Sequence, residues 1–512
     1  MSNENKNILF TLIKSLSKSE KRQFKLYVGR LGKNEDANYL TLFNVLDKMD
    51  EFEEDAILLK SQLKKRQLPN LKANLYKQIL TSLRLAPQHQ TLNIQIREQL
   101  DYATILYNKG LYEQSLKILE KAKQHAIDAE KNFMAYEIVE FEKEIESQYI
   151  TRSLIFRADN LAIEAKNLSI QNVLASKLSN LSLQLYSFLL RNGYAKNEDD
   201  YLLGRNYFYY HLPTFEFEDL GFREKLYLYM SQLWYALIVQ DFRGSYKYAS
   251  KWTDLFIEHP QMIASHPVYY LKGKNHLLES LYYLRYLSKF KSEYQKLLAI
   301  EEEPHILSSD NMRALWLMYK TYSKLNLYFL SGEIQEGANE IPKIEAELKI
   351  YRNKIDDHHL MVINYKFACM HFGLDQYASS IAYLDKIINN RELVLREDLG
   401  CYTRILKLIS LFELDSDQLD SFIRNTYRFL IKMNDLHLIQ REIILFLRNL
   451  NSILPSQLKQ AFINLHETLK KLEDHPFEKR SFLYLDIISW LESKIESKRF
   501  LLIIQEKAKN LK

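Results

Sequence analysis

A helical template recurs nine times along this chain of 512 residues. It places a large apolar residue first, a small residue three positions later and another apolar residue seven positions later. The first positions of consecutive copies are 39 to 48 residues apart. Units of this size that cannot bury their apolar side alone stack in series and share one continuous core. The template therefore predicts an all-α array of stacked helical hairpins. Its nine first positions are Tyr112, Phe156, Tyr201, Phe242, Phe290, Ile334, Tyr377, Leu419 and Leu458.

The low glycine content also favours helices. The chain has 12 Gly and 9 Pro, whereas average usage of about 7% Gly gives roughly 36 in a chain of this length. Strand-rich folds need many glycine-bearing turns, and long helices do not. Hydrophobic residues make up 47% of the chain and charged residues 26%, which is typical of a folded protein.

Two regions are predicted from the spacing of the apolar residues. Residues 1–90 read as short helices, and residues 91–512 read as the hairpin array. In the first region, Ser17 and Glu20 form a capping-box signature at the start of a helix. In the second region, glycines, acidic residues and Pro213 crowd together at 192–221. We expect an interruption of the array there, either a hinge or a capping unit.

One segment of the array resembles a tetratricopeptide repeat. This family has a glycine at the turn between two helices, then an aromatic residue, a small residue and further apolar positions. Over residues 91–500, the resemblance implies a superhelix of helical hairpins, a TPR-like fold, with a small helical domain before it. The matching positions are Gly110, Tyr112, Ser115, Leu119 and Ala122, then Gly332, Ile334, Gly337, Ile341 and Ile344, then Asp375, Tyr377, Ser380, Leu384 and Ile387. Copies that depart from the family at the small position have Asp159, Glu293 and Phe422 there.

Sequence motifs for catalysis or cofactor binding are missing. The glycines are solitary, so the chain has neither phosphate-binding pattern, and it lacks the Gly-x-Ser-x-Gly and His-Glu-x-x-His motifs. The cluster Asp356-Asp357-His358-His359 reads as a polar hairpin corner, because adjacent helical residues point about 100° apart. Cys369 and Cys401 make neither a disulfide framework nor a zinc site. We therefore expect a protein that is not an enzyme, with no metal and no cofactor.

Positive charge is concentrated near the N-terminus. Residues 1–100 contain 17 Lys and Arg against 11 Asp and Glu, a balance of +6. On one helix face lie Lys18, Lys21, Arg22 and Lys25, with Lys14 just before them. This face is either a solvated helix surface or a contact for phosphates, an acidic partner or an anionic lipid surface. The order of the regions also resembles that of bacterial peptide-sensing regulators. However, the charged stretch Gly29 to Asp36 is longer than the turn of a helix-turn-helix.

The leading functional expectation is a scaffold that binds another protein, as a peptide or a helix, on the concave face of the array. The expected contact residues precede the template positions: Tyr102, Leu106 and Tyr107 in one unit, and Tyr319, Tyr322 and Leu327 in another. The 35 tyrosines either fill the seams between helices or line a binding groove. The alternative is a nucleic-acid-binding or peptide-sensing regulator that uses the basic N-terminal face. We expect a cytoplasmic location, because the chain has no signal-peptide core and no membrane-spanning run.

Overall fold

The computed structural model describes residues 8–31, 35–61, 65–149, 156–390, 397–433, 437–449 and 453–511. Within these ranges the regular structure is helical and contains no strand, so the all-α prediction is confirmed. None of the described helices is long and apolar enough to cross a membrane. The chain forms two compact units, residues 1–166 and residues 167–512. The boundary predicted near residue 90 lies inside the first unit.

The first unit contains eight complete helices and the beginning of a ninth. The capping box predicted at Ser17 is confirmed, because the Glu20 backbone N–H donates to Ser17 Oγ and the Ser17 N–H donates back to the Glu20 carboxylate. One apolar core, which includes Phe24 and Phe43, joins the helices before residue 85. The helices are α1 (Ile8–Ser15), α2 (Lys18–Leu31), α3 (Glu35–Lys48), α4 (Glu54–Ser61), α5 (Leu68–Arg84), α6 (Leu92–Asn108), α7 (Tyr112–Asp128), α8 (Asn132–Tyr149) and α9 (Arg157–Asn192).

The second unit begins within α9 and continues to the end of the described chain. Its helices are α10 (Glu198–His211), α11 (Phe222–Ile238), α12 (Phe242–Glu258), α13 (Gln261–Ser265), α14 (Pro267–Tyr283), α15 (Leu287–Ala299), α16 (Asp310–Ser331), α17 (Ile334–Ile350), α18 (Asp357–Gly373), α19 (Tyr377–Ile388), α20 (Glu397–Glu413), α21 (Leu419–Met433), α22 (Leu438–Asn449), α23 (Leu458–Lys470), α24 (Ser481–Tyr484), α25 (Ile487–Glu496) and α26 (Phe500–Lys509).

Helices of the second unit pack in neighbouring pairs. Five pairs are α11 with α12, α14 with α15, α16 with α17, α18 with α19, and α20 with α21. We call the earlier member of each pair the first helix and the later member the second helix. Four of these second helices begin at predicted template positions, which are Phe242, Ile334, Tyr377 and Leu419.

The small template residues allow paired helices to approach closely. In the first unit, Ser115 is fully buried and its hydroxyl donates to the Ala103 carbonyl oxygen of α6 at 2.8 Å. In the second unit, a Cβ added to Gly337 would lie 2.8 Å from the end of the Met370 side chain. A larger side chain at such a position would push the helices apart.

The turns between paired helices use a residue in the left-handed region. It stands two positions before the next helix at Gly110, Gly332, Gln240, Arg285 and Asp375, with φ between 56° and 76°. A left-handed residue commonly closes the C-terminal end of a helix. Because three of these five positions are not glycine, the glycine count underestimates the number of helix–helix turns.

The template copy at Phe156 does not begin a hairpin. Phe156 is 70% exposed, has φ of 72° and precedes α9, a single helix of 36 residues. Beyond α9, the predicted interruption at 192–221 contains α10 and the connection to α11. On α10, Phe208 is buried and stacks on Tyr235, with 4.6 Å between the ring centroids, whereas Tyr210 is exposed.

The C-terminal segment, residues 471–511, packs against the first helices. The Gln240 amide donates to the Phe477 carbonyl oxygen at 3.2 Å. Further along, the Tyr365 hydroxyl of α18 donates to the Tyr484 carbonyl oxygen at 3.0 Å. These contacts hold the C-terminal segment against the side of the helix pairs where the first helices lie.

Candidate functional site

A cavity of about 1130 Å³ lies in the second unit. Its wall is formed by the C-terminal half of α9, by the first helices α11, α14, α16, α18 and α20, and by residues of the C-terminal segment. Of the paired second helices, α17 contributes its first residue, Ile334, to the described wall. Pockets for small molecules usually have about 300–1,000 Å³, so this cavity is large enough for a more extended ligand.

The wall is rich in aromatic side chains. Trp234 of α11 lies in it, and its ring is 4.8 Å from the ring of Tyr186. Tyrosine combines a flat apolar ring with a hydroxyl that hydrogen-bonds, which suits it to binding surfaces. Eleven tyrosines lie in the described wall: Tyr186, Tyr194, Tyr227, Tyr269, Tyr282, Tyr283, Tyr319, Tyr322, Tyr365, Tyr402 and Tyr484.

The wall also has an excess of positive charge. It contains seven Lys and Arg side chains against two carboxylates, Glu279 and Asp486. The whole chain, in contrast, has a net charge of only +5. Positive charge in an enclosed site attracts anionic ligands more strongly than it does at an open surface, because water screens it less. The seven cations are Arg191, Lys196, Lys272, Arg285, Lys366, Arg480 and Lys507.

Arg480 brings a buried positive charge to the wall from the C-terminal segment. Only 6% of its surface is exposed, and its guanidinium lies 3.3 Å from the centroid of the Tyr194 ring. Nη2 donates to the Tyr283 hydroxyl at 3.3 Å. Among the described residues, Nε and Nη1 have no hydrogen-bond partner, and no carboxylate forms an ion pair with Arg480.

Glu279 lies beyond Tyr283 in the same network. The Tyr283 hydroxyl donates to the Glu279 carboxylate at 2.5 Å, and the His276 ring lies 3.3 Å from the other carboxylate oxygen. Burial alone would raise the pKa of Glu279. The hydrogen bonds from His276 and Tyr283, together with the charges of His276 and Arg480, lower that pKa to about 2 instead. Glu279 is therefore ionised at neutral pH, and Tyr283 stands between its charge and that of Arg480.

Lys366 of α18 is the second cation held inside the wall. Its ammonium group donates to Asn326 Oδ1 at 2.6 Å and lies 5.3 Å from the Tyr282 ring centroid. Burial lowers the pKa of Lys366 to about 8. No described carboxylate forms an ion pair with it. Since Tyr282 and Tyr283 are consecutive residues of α14, Lys366 and Arg480 approach the same stretch of that helix.

Cys369 lies one turn after Lys366 on the same helix. Burial raises the pKa of the Cys369 thiol to about 12, so the thiol is protonated at neutral pH. A protonated thiol is a poor nucleophile and a poor metal ligand. Within the described part of the chain, no group of three or more His, Cys, Asp or Glu side chains is arranged to hold a metal ion. In the cluster at 356–359, Asp356 caps α18 by accepting a hydrogen bond from the His359 backbone N–H at 2.9 Å.

Two of the six predicted contact residues line the cavity. Tyr319 and Tyr322 lie in its wall on α16, and the Tyr322 hydroxyl donates to the His359 carbonyl oxygen at 2.8 Å. Leu327 lies on the same helix but packs against the apolar core instead. The other three, Tyr102, Leu106 and Tyr107, lie on α6 of the first unit. There the Gln148 side-chain amide donates to the Tyr107 hydroxyl at 2.6 Å.

Several residues of the predicted basic face have partners inside the first unit. Lys14 donates to the Asp47 carbonyl oxygen at 2.8 Å, and Lys21 forms an ion pair with the Asp47 carboxylate at 2.6 Å. Lys25 lies 5.7 Å from the Phe43 ring centroid. Lys18 and Arg22 are exposed and border a shallow surface groove. The stretch Gly29 to Asp36 includes residues 32–34, which lie outside the described residues.

Sequence reasoning missed Arg480, Lys366 and Glu279. They come from three separate segments, and Arg480 is 197 residues from Tyr283 along the chain. A periodic pattern reports which face of a helix is apolar, but it does not report which distant segments meet. One feature of the sequence could have indicated the cavity wall, namely the number of tyrosines in the first helices.

Neither a protein-family model, nor a curated protein, nor a solved structure matches this chain.

Proposed function

We propose that the protein is a non-catalytic binding protein that takes a peptide segment of another protein into the tyrosine-lined cavity of residues 167–512. The main support is the composition of the wall. The first helices supply most of it, as expected for the inner surface of stacked helical hairpins. The C-terminal half of α9 and the C-terminal segment supply most of the remainder, so a bound segment would have wall residues on more sides than the first helices alone provide.

We further propose that the helix pairs form a TPR-like superhelix. The left-handed turn residues, the buried small residues and the regular start of second helices support this assignment. In such a superhelix the first helices face inward. The cavity-lining tyrosines would then be the residues that contact the bound segment and select its sequence.

A peptide accounts for the character of the wall better than a compact small molecule does. The wall residues are spread over five first helices, with an aromatic residue on each, and the volume exceeds the usual range for small-molecule pockets. An extended peptide can make many weak contacts of this kind. Tyrosine rings of the wall can pack against its side chains, and tyrosine hydroxyl groups can hydrogen-bond to its backbone.

Direct binding to synthetic peptides tests the proposal. The purified full-length protein is mixed with a random decapeptide pool, separated from free peptide by gel filtration, and analysed for retained peptides by mass spectrometry. Asn180 lies in the wall on α9, so we expect Asn180→Trp to fill part of the cavity and to reduce retention at least tenfold.

Gln184→Trp is the matched control. Gln184 is exposed on α9, one turn further along, and does not belong to the described wall. This variant should retain peptides as the unmodified protein does. Equal retention by the two tryptophan variants, or the absence of any retained peptide, would contradict the proposal. So would a compact organic molecule bound at the cavity and excluded by Asn180→Trp.

A further inference from the structure

The cavity wall contains a positive charge that the described protein leaves without an ion pair. Only 6% of the Arg480 surface is exposed. Its guanidinium nevertheless hydrogen-bonds to a neutral group, the Tyr283 phenol, and Nε and Nη1 have no described partner. A buried charge without an opposite charge is costly, because the protein interior solvates it less well than water does. Stacking on Tyr194 offsets only part of this cost.

Glu279 is the carboxylate whose charge acts on Arg480, and it already has partners. Glu279 accepts from Tyr283 and contacts His276, so its two oxygens already have partners. Its charge acts on Arg480 through Tyr283 and not through a direct ion pair. The guanidinium edge therefore keeps its capacity for a further acceptor.

A second cation of the wall, Lys366, also has neutral partners. Lys366 contacts the Tyr282 ring, and Arg480 contacts the Tyr283 hydroxyl. The other described partners of Lys366 are the neutral amide of Asn326 and the Phe329 ring. Both cations are thus paired with neutral groups, and of the two it is Arg480 that is almost fully buried and has donors without a described partner.

We infer that the bound peptide presents a carboxylate to Arg480. This inference rests on the proposed peptide-binding function and names the group that anchors the peptide. A planar carboxylate matches the fork of guanidinium donors and can accept two parallel hydrogen bonds from it. Nε and Nη1 are shielded from solvent, so binding at these atoms requires a neighbouring side chain to move, which is common at interfaces.

The carboxylate has two sources in a peptide, the C-terminus and an Asp or Glu side chain. Four random decapeptide pools separate them: each has either a free or an amidated C-terminus, and either contains Asp and Glu or has Asn and Gln in their place. We measure the apparent affinity of the full-length protein for each labelled pool by fluorescence anisotropy. At least one kind of carboxylate should strengthen binding about tenfold or more.

Substitutions in the wall locate the effect. Arg480→Gln should weaken binding of the preferred pool about 30-fold and remove the preference for a carboxylate. Lys366→Met should have a smaller effect in the same direction. Lys479→Gln is the matched control, because Lys479 precedes Arg480 in the same segment but lies over the Phe242 ring, outside the described wall. Circular dichroism of each variant checks that it is folded.

The outcomes distinguish this inference from the proposal on which it rests. Equal binding of all four pools, or an unchanged preference in folded Arg480→Gln, overturns the carboxylate anchor and leaves peptide binding standing. Failure of the unmodified protein to bind any pool overturns both. Because the comparison of pools uses the unmodified protein, it decides the inference even if Arg480→Gln does not fold.

Discussion

At the scale of single residues, the left-handed turns show where a side chain is costly. Gly110 has φ of 76°, and an added Cβ would lie 3.9 Å from the Tyr112 hydroxyl, an ordinary contact distance, so Gly110→Ala adds backbone strain and little steric conflict. We expect it to lower the free energy of unfolding by about 1–2 kcal/mol. Urea denaturation followed by circular dichroism measures the change in the transition of the first unit.

The same substitution at Gly29 is the control. Gly29 lies within α2, has open space around it and is not left-handed. Here alanine should raise the free energy of unfolding by roughly 0.5–1 kcal/mol, because it restricts the unfolded chain and favours the helix. A destabilising effect of similar size at both glycines would show that left-handed backbone is not the cause.

Glu279 makes stability depend on pH in the acidic range. Its pKa is lowered to about 2 by its hydrogen bonds and by neighbouring positive charge, despite the opposing effect of burial. The resulting stabilisation is fully present above the ordinary glutamate pKa of about 4.5 and is lost as pH falls toward 2. Glu279→Gln should therefore be less stable than the unmodified protein at pH 6, and the difference should shrink between pH 4.5 and pH 3.

Urea denaturation at a series of pH values measures this difference. Glu218→Gln is the comparison, because Glu218 is an exposed residue of the same unit and has no ion pair among the described residues. A difference for Glu279→Gln that stays constant from pH 6 to pH 3 would contradict the assigned ionisation.

Lys366 should react unusually fast with acylating reagents. Burial lowers its pKa to about 8, so at pH 7 its neutral fraction exceeds that of an ordinary lysine by a factor on the order of 100. Partial shielding reduces this advantage, and we expect acetylation about tenfold faster than at Lys386, an exposed lysine of α19. Mass spectrometry after brief treatment with acetic anhydride measures both rates. Equal rates across pH 7 to 9 would contradict the lowered pKa.

At the scale of helices, the packing of α17 against α18 depends on Gly337. Its added Cβ would lie 2.8 Å from the end of Met370 and 3.0 Å from the Tyr328 ring. We expect Gly337→Val to lower the free energy of unfolding by about 2 kcal/mol, because one of the two neighbours is a ring with little freedom to move. The control, Gln335→Val, places valine at an exposed position of the same helix and should cost less than about 1 kcal/mol. Comparable losses in urea denaturation would contradict a close helix approach.

The helices were predictable where the local pattern determines them. Phe242, Ile334, Tyr377 and Leu419 begin second helices because an apolar stripe with helical spacing starts at each of them. At Phe156 the same pattern predicted a hairpin, but a single long helix follows. Nothing in the apolar spacing distinguishes a hairpin from a continuous helix unless a turn residue interrupts it.

The site was less predictable than the helices. Tyr319 and Tyr322 were named from the sequence, and both lie on the side of a first helix that lines the cavity. Glu293 departs from the small-residue template and forms an ion pair with the buried Lys274 at 3.1 Å, so this departure marked a buried charge on the other helix of the same pair. Arg480 had no local signal, since its role depends on where the C-terminal segment packs.

At the scale of the second unit, the cavity is built from segments more than 200 residues apart in the chain. The first helices and residues 480–486 face it, whereas the bodies of the second helices do not belong to the described wall. A peptide bound there should therefore slow amide hydrogen exchange in a discontinuous set of segments. Protection is expected on α14, α16 and α18 and on residues 480–486, with little change on α12, α17 and α19.

Hydrogen exchange with mass spectrometry, with and without a saturating peptide selected from the pools, measures this distribution. Asn180→Trp, which should retain at least tenfold less peptide, is the control for protection that does not depend on binding. Protection confined to the second helices, or to α9 and α10 without residues 480–486, would place the peptide outside the cavity. Protection of residues 480–486 together with the first helices would instead identify the C-terminal segment as part of the binding wall, because Arg480 of this segment contacts Tyr283 of α14.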